Sequence, residues 1–187
     1  MKNSLYNRKH IREYIIYGLL AALAYMIPTW IFFAHMDYEK LWTVFSGSIL
    51  FMFIIMLYSI RLSRRRPDYK STWMMIVAAH FAILVGIVLS VLLTLLACFI
   101  YIPGFLSGES TNVLENASGS LNANNRILVT LLFTCATVEN FGAAGFMAIL
   151  GPYVFKRNQT KDKFALLEPE IDLNKKRNEP VVIETDK

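Results

Sequence analysis

Cysteine, histidine and intramembrane charge are the scarce items in this chain of 187 residues. The two cysteines, Cys98 and Cys135, both sit in apolar stretches and neither belongs to a C-x-x-C pair. That argues against a disulfide scaffold and against a zinc site; both read as small apolar packing residues. Of the three histidines only His80 lies inside an apolar run, so a haem held by two intramembrane histidines has no second ligand. The loop residues His35, Asp37, Glu39, Glu109 and Glu115 offer at most a nonspecific divalent-cation cluster. No nucleophile, base and metal-ligand set converges at one depth. The expectation is a chain that is not an enzyme and carries no cofactor and no metal.

Apolar residues, by contrast, make up 55% of the chain, against about 45–50% in a soluble domain, and the excess is concentrated in four runs. Residues 14–34 and 41–60 hold no charge; 72–102 holds only His80 and 127–155 only Glu139, setting tyrosine and cysteine aside. A helix crossing a ~30 Å hydrocarbon core needs about 20 such residues. The fold class expected is therefore an all-α integral membrane protein: four transmembrane helices in an antiparallel up-down bundle. Residues 1–13 precede it, residues 103–126 form a long outer loop, and residues 156–187 make a tail of mixed charge expected to be disordered. The first run continues to Phe33, past the Ala22-Leu23-Ala24 that resembles a cleavage site, which argues against a signal peptide.

Lysine and arginine set the orientation. Seventeen fall before the first run, between the second and third, or after the fourth; the opposite side has two, Lys40 and Arg126. The positive-inside rule then puts both termini in the cytoplasm, and the host membrane is expected to be the cytoplasmic membrane of a bacterium. The formal charge of +5 reads the same way: Arg61, Arg64, Arg65, Arg66, Lys156 and Arg157 anchor the topology and meet anionic headgroups, and nucleic acid is not an expected partner. Tyr14, Tyr17, Tyr58, Trp73 and Tyr153 at one level, and Trp30, Tyr38, Trp42 and Tyr101 at the other, are expected to form two interfacial belts. Pro28 is expected to kink the first helix.

The third run spaces small residues four apart, at Ala78, Ala82, Gly86, Ser90, Thr94 and Cys98. The fourth answers with Cys135, Glu139 and Ala143, with Gly142 nearby. In lipid, small residues let helices approach closely. The expected seam joins the third and fourth helices through Ala82, Gly86, Ser90, Thr94, Cys135, Gly142 and Ala143. Aligning their outer ends sets Ser90 opposite Glu139, Thr94 opposite Cys135 and Gly86 opposite Ala143. His80 falls ~15 Å from the level of Glu139.

Glu139 lies near the middle of its run, where an ionised side chain costs about 2.5–3.5 kcal/mol or more. Either it is a neutral acid donating to Ser90 or Thr94 and pinning the helix register, or it is a proton or cation site, with Ser90, Thr94 and His80 as candidate associates. Two functions follow. One is an accessory or assembly subunit of a membrane complex, recognising a membrane-protein partner or a second copy of itself. The other is a small, homodimeric proton- or cation-coupled transporter working through Glu139.

Overall fold

The computed structural model describes residues 8–64, 72–106, 114–116 and 125–156. Arg65, Arg66, Arg157, Glu109 and the tail lie outside the described residues, as do the side chains of Arg64 and Lys156. Among the described residues the chain is helical, with one isolated bridge, between Asp37 and Glu115. Four helices are long and apolar enough to cross a membrane: α1 (Arg8–His35), α2 (Trp42–Arg64), α3 (Thr72–Tyr101) and α4, which runs from Asn125 to Lys156 in three segments. α1 starts before its apolar run and α2 outlasts its own. Helix formation depends on backbone hydrogen bonds and tolerates Arg and Lys well, so apolarity does not set its limits.

Successive helices alternate in direction, but they are not arranged as a simple up-down ring. α1 and α2 are antiparallel, with Tyr17 stacked on Tyr58 at 4.6 Å. α3 then lies beside α1, and parallel to it. Tyr14 stacks with Phe81 at 5.7 Å, Thr94 approaches the Met26 sulfur at 4.0 Å, and Phe33 stacks on Tyr101 at 5.7 Å. The terminal half of α4 packs against α2 and α3, which closes the order α1–α2–α4–α3.

The physical cause is a set of small residues at the crossings. A Cβ at Gly18 would lie 2.8 Å from the Ala82 carbonyl oxygen, and one at Gly86 would lie 2.7 Å from the Phe51 ring and 3.2 Å from the Gly18 carbonyl. The backbones of α1 and α3 touch there. The small-residue stripe from Ala78 to Cys98 is buried along its whole length, as its spacing predicts. At Ala82, Gly86 and Thr94 it meets α1, with the Phe51 ring of α2 over Gly86, where the expectation set the fourth helix. Gly47 does the same service for α1 and α2, since a Cβ there would meet the Tyr25 carbonyl at 2.7 Å. The belts also need correction: Tyr14 and Tyr58 are core residues, whereas Trp30, Trp42, Trp73 and Tyr153 face outward.

At the loop end, the long connection clasps the turn between α1 and α2. Tyr38 N–H donates to Glu115 O at 3.0 Å, Glu115 N–H to Met36 O at 2.8 Å, and Asn116 Nδ2 to Asp37 Oδ1 at 3.2 Å. The Asn116 bond first, and the Glu39 N–H second, hold the Asp37 carboxyl below its ordinary range. Leu114 is buried beneath this clasp.

Candidate functional site

α4 changes character at its middle. Asn125–Thr134 and Asn140–Lys156 are α-helical, and Cys135–Glu139 between them forms a π turn, with the Asn140 N–H reaching back to the Cys135 carbonyl. Thr134 and Thr137 hydroxyls donate to the carbonyls of Thr130 and Phe133, at 2.8 and 2.6 Å. Such back-bonding loosens the α-helical ladder and favours bends. Wide turns of this kind recur at functional sites.

The turn also resets which face of α4 is interior. Leu128, Leu132, Ala136, Asn140, Ala144 and Ala148 are buried, one every four residues. In an unbroken α-helix that spacing drifts by about 40° per step; a wider turn winds the chain back and keeps the row facing inward. The row lies one residue on from the sequence expectation of Cys135, Glu139 and Ala143. Cys135 is buried, Glu139 and Ala143 are half-buried, and Gly142 is exposed with nothing within 4 Å of a Cβ. Gly142 is therefore not a seam residue.

Glu139 consequently sits at the boundary between core and surface. Its Oε2 is buried without a hydrogen-bond partner, and the Cys135 thiol lies beside its carboxyl. Neither predicted associate reaches it. Ser90 is fully buried with its Oγ unpartnered, and Thr94 turns to Met26 and toward Tyr25. The register is slipped: His80, expected ~15 Å from the level of Glu139, meets α4 at Phe141 and Gly145, with ring centroids 6.2 Å apart for His80 and Phe141. The long loop between α3 and α4 permits that slide. His80 is thus nearer the level of Glu139 than the end-to-end alignment implies, but its Nδ1 bonds the Ile76 carbonyl at 2.8 Å.

Two surroundings meet at Glu139. Inward lie buried polar side chains of the core. Tyr25 is fully buried, the Thr29 hydroxyl donates to the Tyr25 backbone carbonyl at 2.9 Å, and the Thr94 hydroxyl approaches the Met26 sulfur at 4.0 Å. Tyr25 Oη, Ser48 Oγ, Ser90 Oγ and Asn140 Oδ1 have no hydrogen-bond partner. Outward lies a groove of about 610 Å³ running along the first segment of α4 past Phe45 of α2. Ile127, Thr130, Leu131, Thr134 and Val138 line it, with Arg126 at the loop end and Glu139 at the other. It exists because Asn125–Thr134 packs only thinly, and chiefly on α3, while Asn140–Lys156 is seated firmly on α2.

Sequence reasoning missed Tyr25, Phe45, Thr130, Val138 and Asn140. Asn140 carried a legible signal, an amide adjacent to the only acid of its run. Tyr25 carried another, a tyrosine far from either predicted belt. Among the described residues no group of three or more His, Cys, Asp and Glu could hold a metal ion. Comparison with protein-family models, curated proteins and solved structures finds no match to this chain.

Proposed function

We propose that the protein is a non-catalytic, multi-pass membrane protein whose working group is Glu139, a proton or cation site in a small coupled transporter. The observation that supports this reading is the unpartnered, buried Oε2 of Glu139 at the end of a groove that opens sideways. A register-pinning acid would be bonded to Ser90 or Thr94, and Glu139 is bonded to neither. A mid-membrane carboxyl at a water- or ligand-accessible cavity is the usual setting of a functional acid.

The reading takes the loop end as the outer face, because Arg8, Lys9, Arg12 and Arg61 gather at the other end. In this reading the groove reaches Glu139 along α4 from the loop end, where Arg126 lines it. Ala144 and Ala148 are fully buried, and Gly151 lies against Ser59, which closes the cytoplasmic side. The π turn is the joint at which the two segments of α4 exchange open and closed arrangements. The host membrane in this reading is the bacterial cytoplasmic membrane.

The test is proton movement in vesicles containing the purified chain and a pH-sensitive dye, driven by an imposed cation gradient. Wild-type flux is expected, with at least a ten-fold loss in Glu139→Gln, which keeps the shape and removes the exchangeable proton. Equal flux from the two proteins defeats the reading.

One observation favours a second reading, the accessory or assembly subunit. Asn125–Thr134 leaves its α2-facing side uncovered, and a partner's transmembrane helix has a surface to occupy there. Purification in mild detergent then yields a stoichiometric membrane partner that Thr134→Trp displaces. A bare monomer or homodimer counts against it.

A further inference from the structure

At the terminal end, far from Glu139, a separate cleft of about 570 Å³ opens between α1 and α2. Three cations converge on it: Lys9 and Arg12 from α1, and Arg61 from the last turn of α2. Lys9, Arg12, Ile16 and Leu20 recur at helical spacing, so they form one stripe of α1. Tyr17, stacked on Tyr58, walls the inner side.

Among the described residues the three cations form no internal ion pair, and the one acid of the cleft, Glu13, lies 3.9 Å from His10 Nδ1. The cleft therefore carries an excess of positive charge. Its continuation is apolar: Ile16 and Leu20 are 41% and 45% exposed and extend the stripe toward the middle of the bundle. From Lys9 to Leu20 is about 16 Å along the helix, close to the depth of one leaflet of a ~30 Å core.

We propose that this cleft is a specific site for one anionic phospholipid, its phosphate held by Lys9, Arg12 and Arg61 and an acyl chain lying along Ile16 and Leu20. The phosphate oxygens take charge-assisted hydrogen bonds from two guanidinium forks and one ammonium. The apolar stripe selects a lipid over a soluble phosphate, which has no chain to place on it. A zwitterionic lipid brings its own cation into the cluster and is disfavoured by like-charge repulsion. The site is independent of Glu139 and does not depend on which face of the membrane the terminal end occupies.

The test is retention of lipid by the full chain in mild detergent, read by native mass spectrometry against equal mole fractions of phosphatidylglycerol and phosphatidylcholine. One phosphatidylglycerol is expected to be retained at least about ten-fold over phosphatidylcholine, since each basic group near an anionic surface contributes substantially. The triple variant Lys9→Gln, Arg12→Gln, Arg61→Gln is expected to lose that preference, and the single variants Arg12→Gln and Arg61→Gln to fall between. All three side chains are exposed, so an unchanged melting temperature accompanies the loss. Arg126→Gln, which removes a charge at the opposite end, leaves retention unchanged. Equal retention of the two lipids, or a triple variant that retains phosphatidylglycerol like wild type, overturns the proposal. Displacement of the lipid by millimolar inorganic phosphate alone reassigns the cleft to a soluble anion and overturns it too.

Discussion

The two halves of α4 belong to one helix and have opposite surroundings. From Asn140 onward, Ala144, Ala148 and Gly151 present almost no side chain, and the helix lies directly on α2 and α3. Before Cys135 the inward row is Leu128 and Leu132, the flank carries Thr130, Leu131 and Thr134, and a groove separates it from α2. Helices in an apolar solvent gain little from hiding apolar surface and associate through close contact. Where the residues are small the helices meet, and where they are large and branched a space remains. The acid stands at the change from one regime to the other, in the turn that lets the two halves face differently.

The comparison breaks most severely where backbones touch. Gly86→Leu forces a side chain against Phe51 and the Gly18 carbonyl, and the expected result is loss of most folded protein, since even modest overpacking costs about 1–3 kcal/mol. Gly142→Leu, at an open position of α4, is expected to be neutral. Unfolding by SDS titration in mixed micelles distinguishes them, and similar midpoints for the two variants contradict a seam at Gly86.

Next in size is the contrast within α4 itself. Ala148→Leu, at a fully buried position, is expected to destabilise by about 1–3 kcal/mol. Thr134→Leu, exposed in the groove, should fall within about 0.5 kcal/mol of wild type. A large penalty at Thr134 in the same titration shows that the groove is filled.

The smallest effect belongs to the loop clasp. The Asp37 carboxyl is held below its ordinary value of 3.8 by Asn116 and the Glu39 amide. A lowered folded-state value means that the contribution is complete above the ordinary value and is lost as pH falls through the lower, folded one. Faster amide hydrogen exchange at Tyr38 and Glu115, relative to the intrinsic rate at each pH, is expected only once the pH drops below about 4. Asp37→Asn should show that faster exchange at neutral pH, with global stability little changed. If Tyr38 and Glu115 exchange at the wild-type rate in this variant, the carboxylate has no part in the clasp.

Much of this was legible in advance. Four helical runs, their approximate limits, the inward stripe on α3 and the singular position of Glu139 all follow from apolar spacing and from the scarcity of charge. The neighbours of those features were not legible. The stripe on α3 is complementary to any small-residue surface, and Gly18 and Gly47, isolated in α1 and α2, gave no period that marked them as rivals to Gly142 and Ala143. The depth alignment failed for a related reason: the long connection after Tyr101 leaves the axial position of α4 free, so the ends of the helices are poor rulers.

Composition and periodicity by themselves determined that this chain makes four long apolar helices and that one carboxyl lies within their apolar runs, because the length of an apolar run and the placement of charge are local properties. Tertiary structure alone decided which helices are neighbours, which side of α4 faces inward, and that Glu139 opens onto a groove rather than bonding to Ser90. Those outcomes depend on how closely backbones can approach at Gly18, Gly47 and Gly86 and on a π turn that rewinds one helix at its middle, and both are contests between surfaces far apart in sequence.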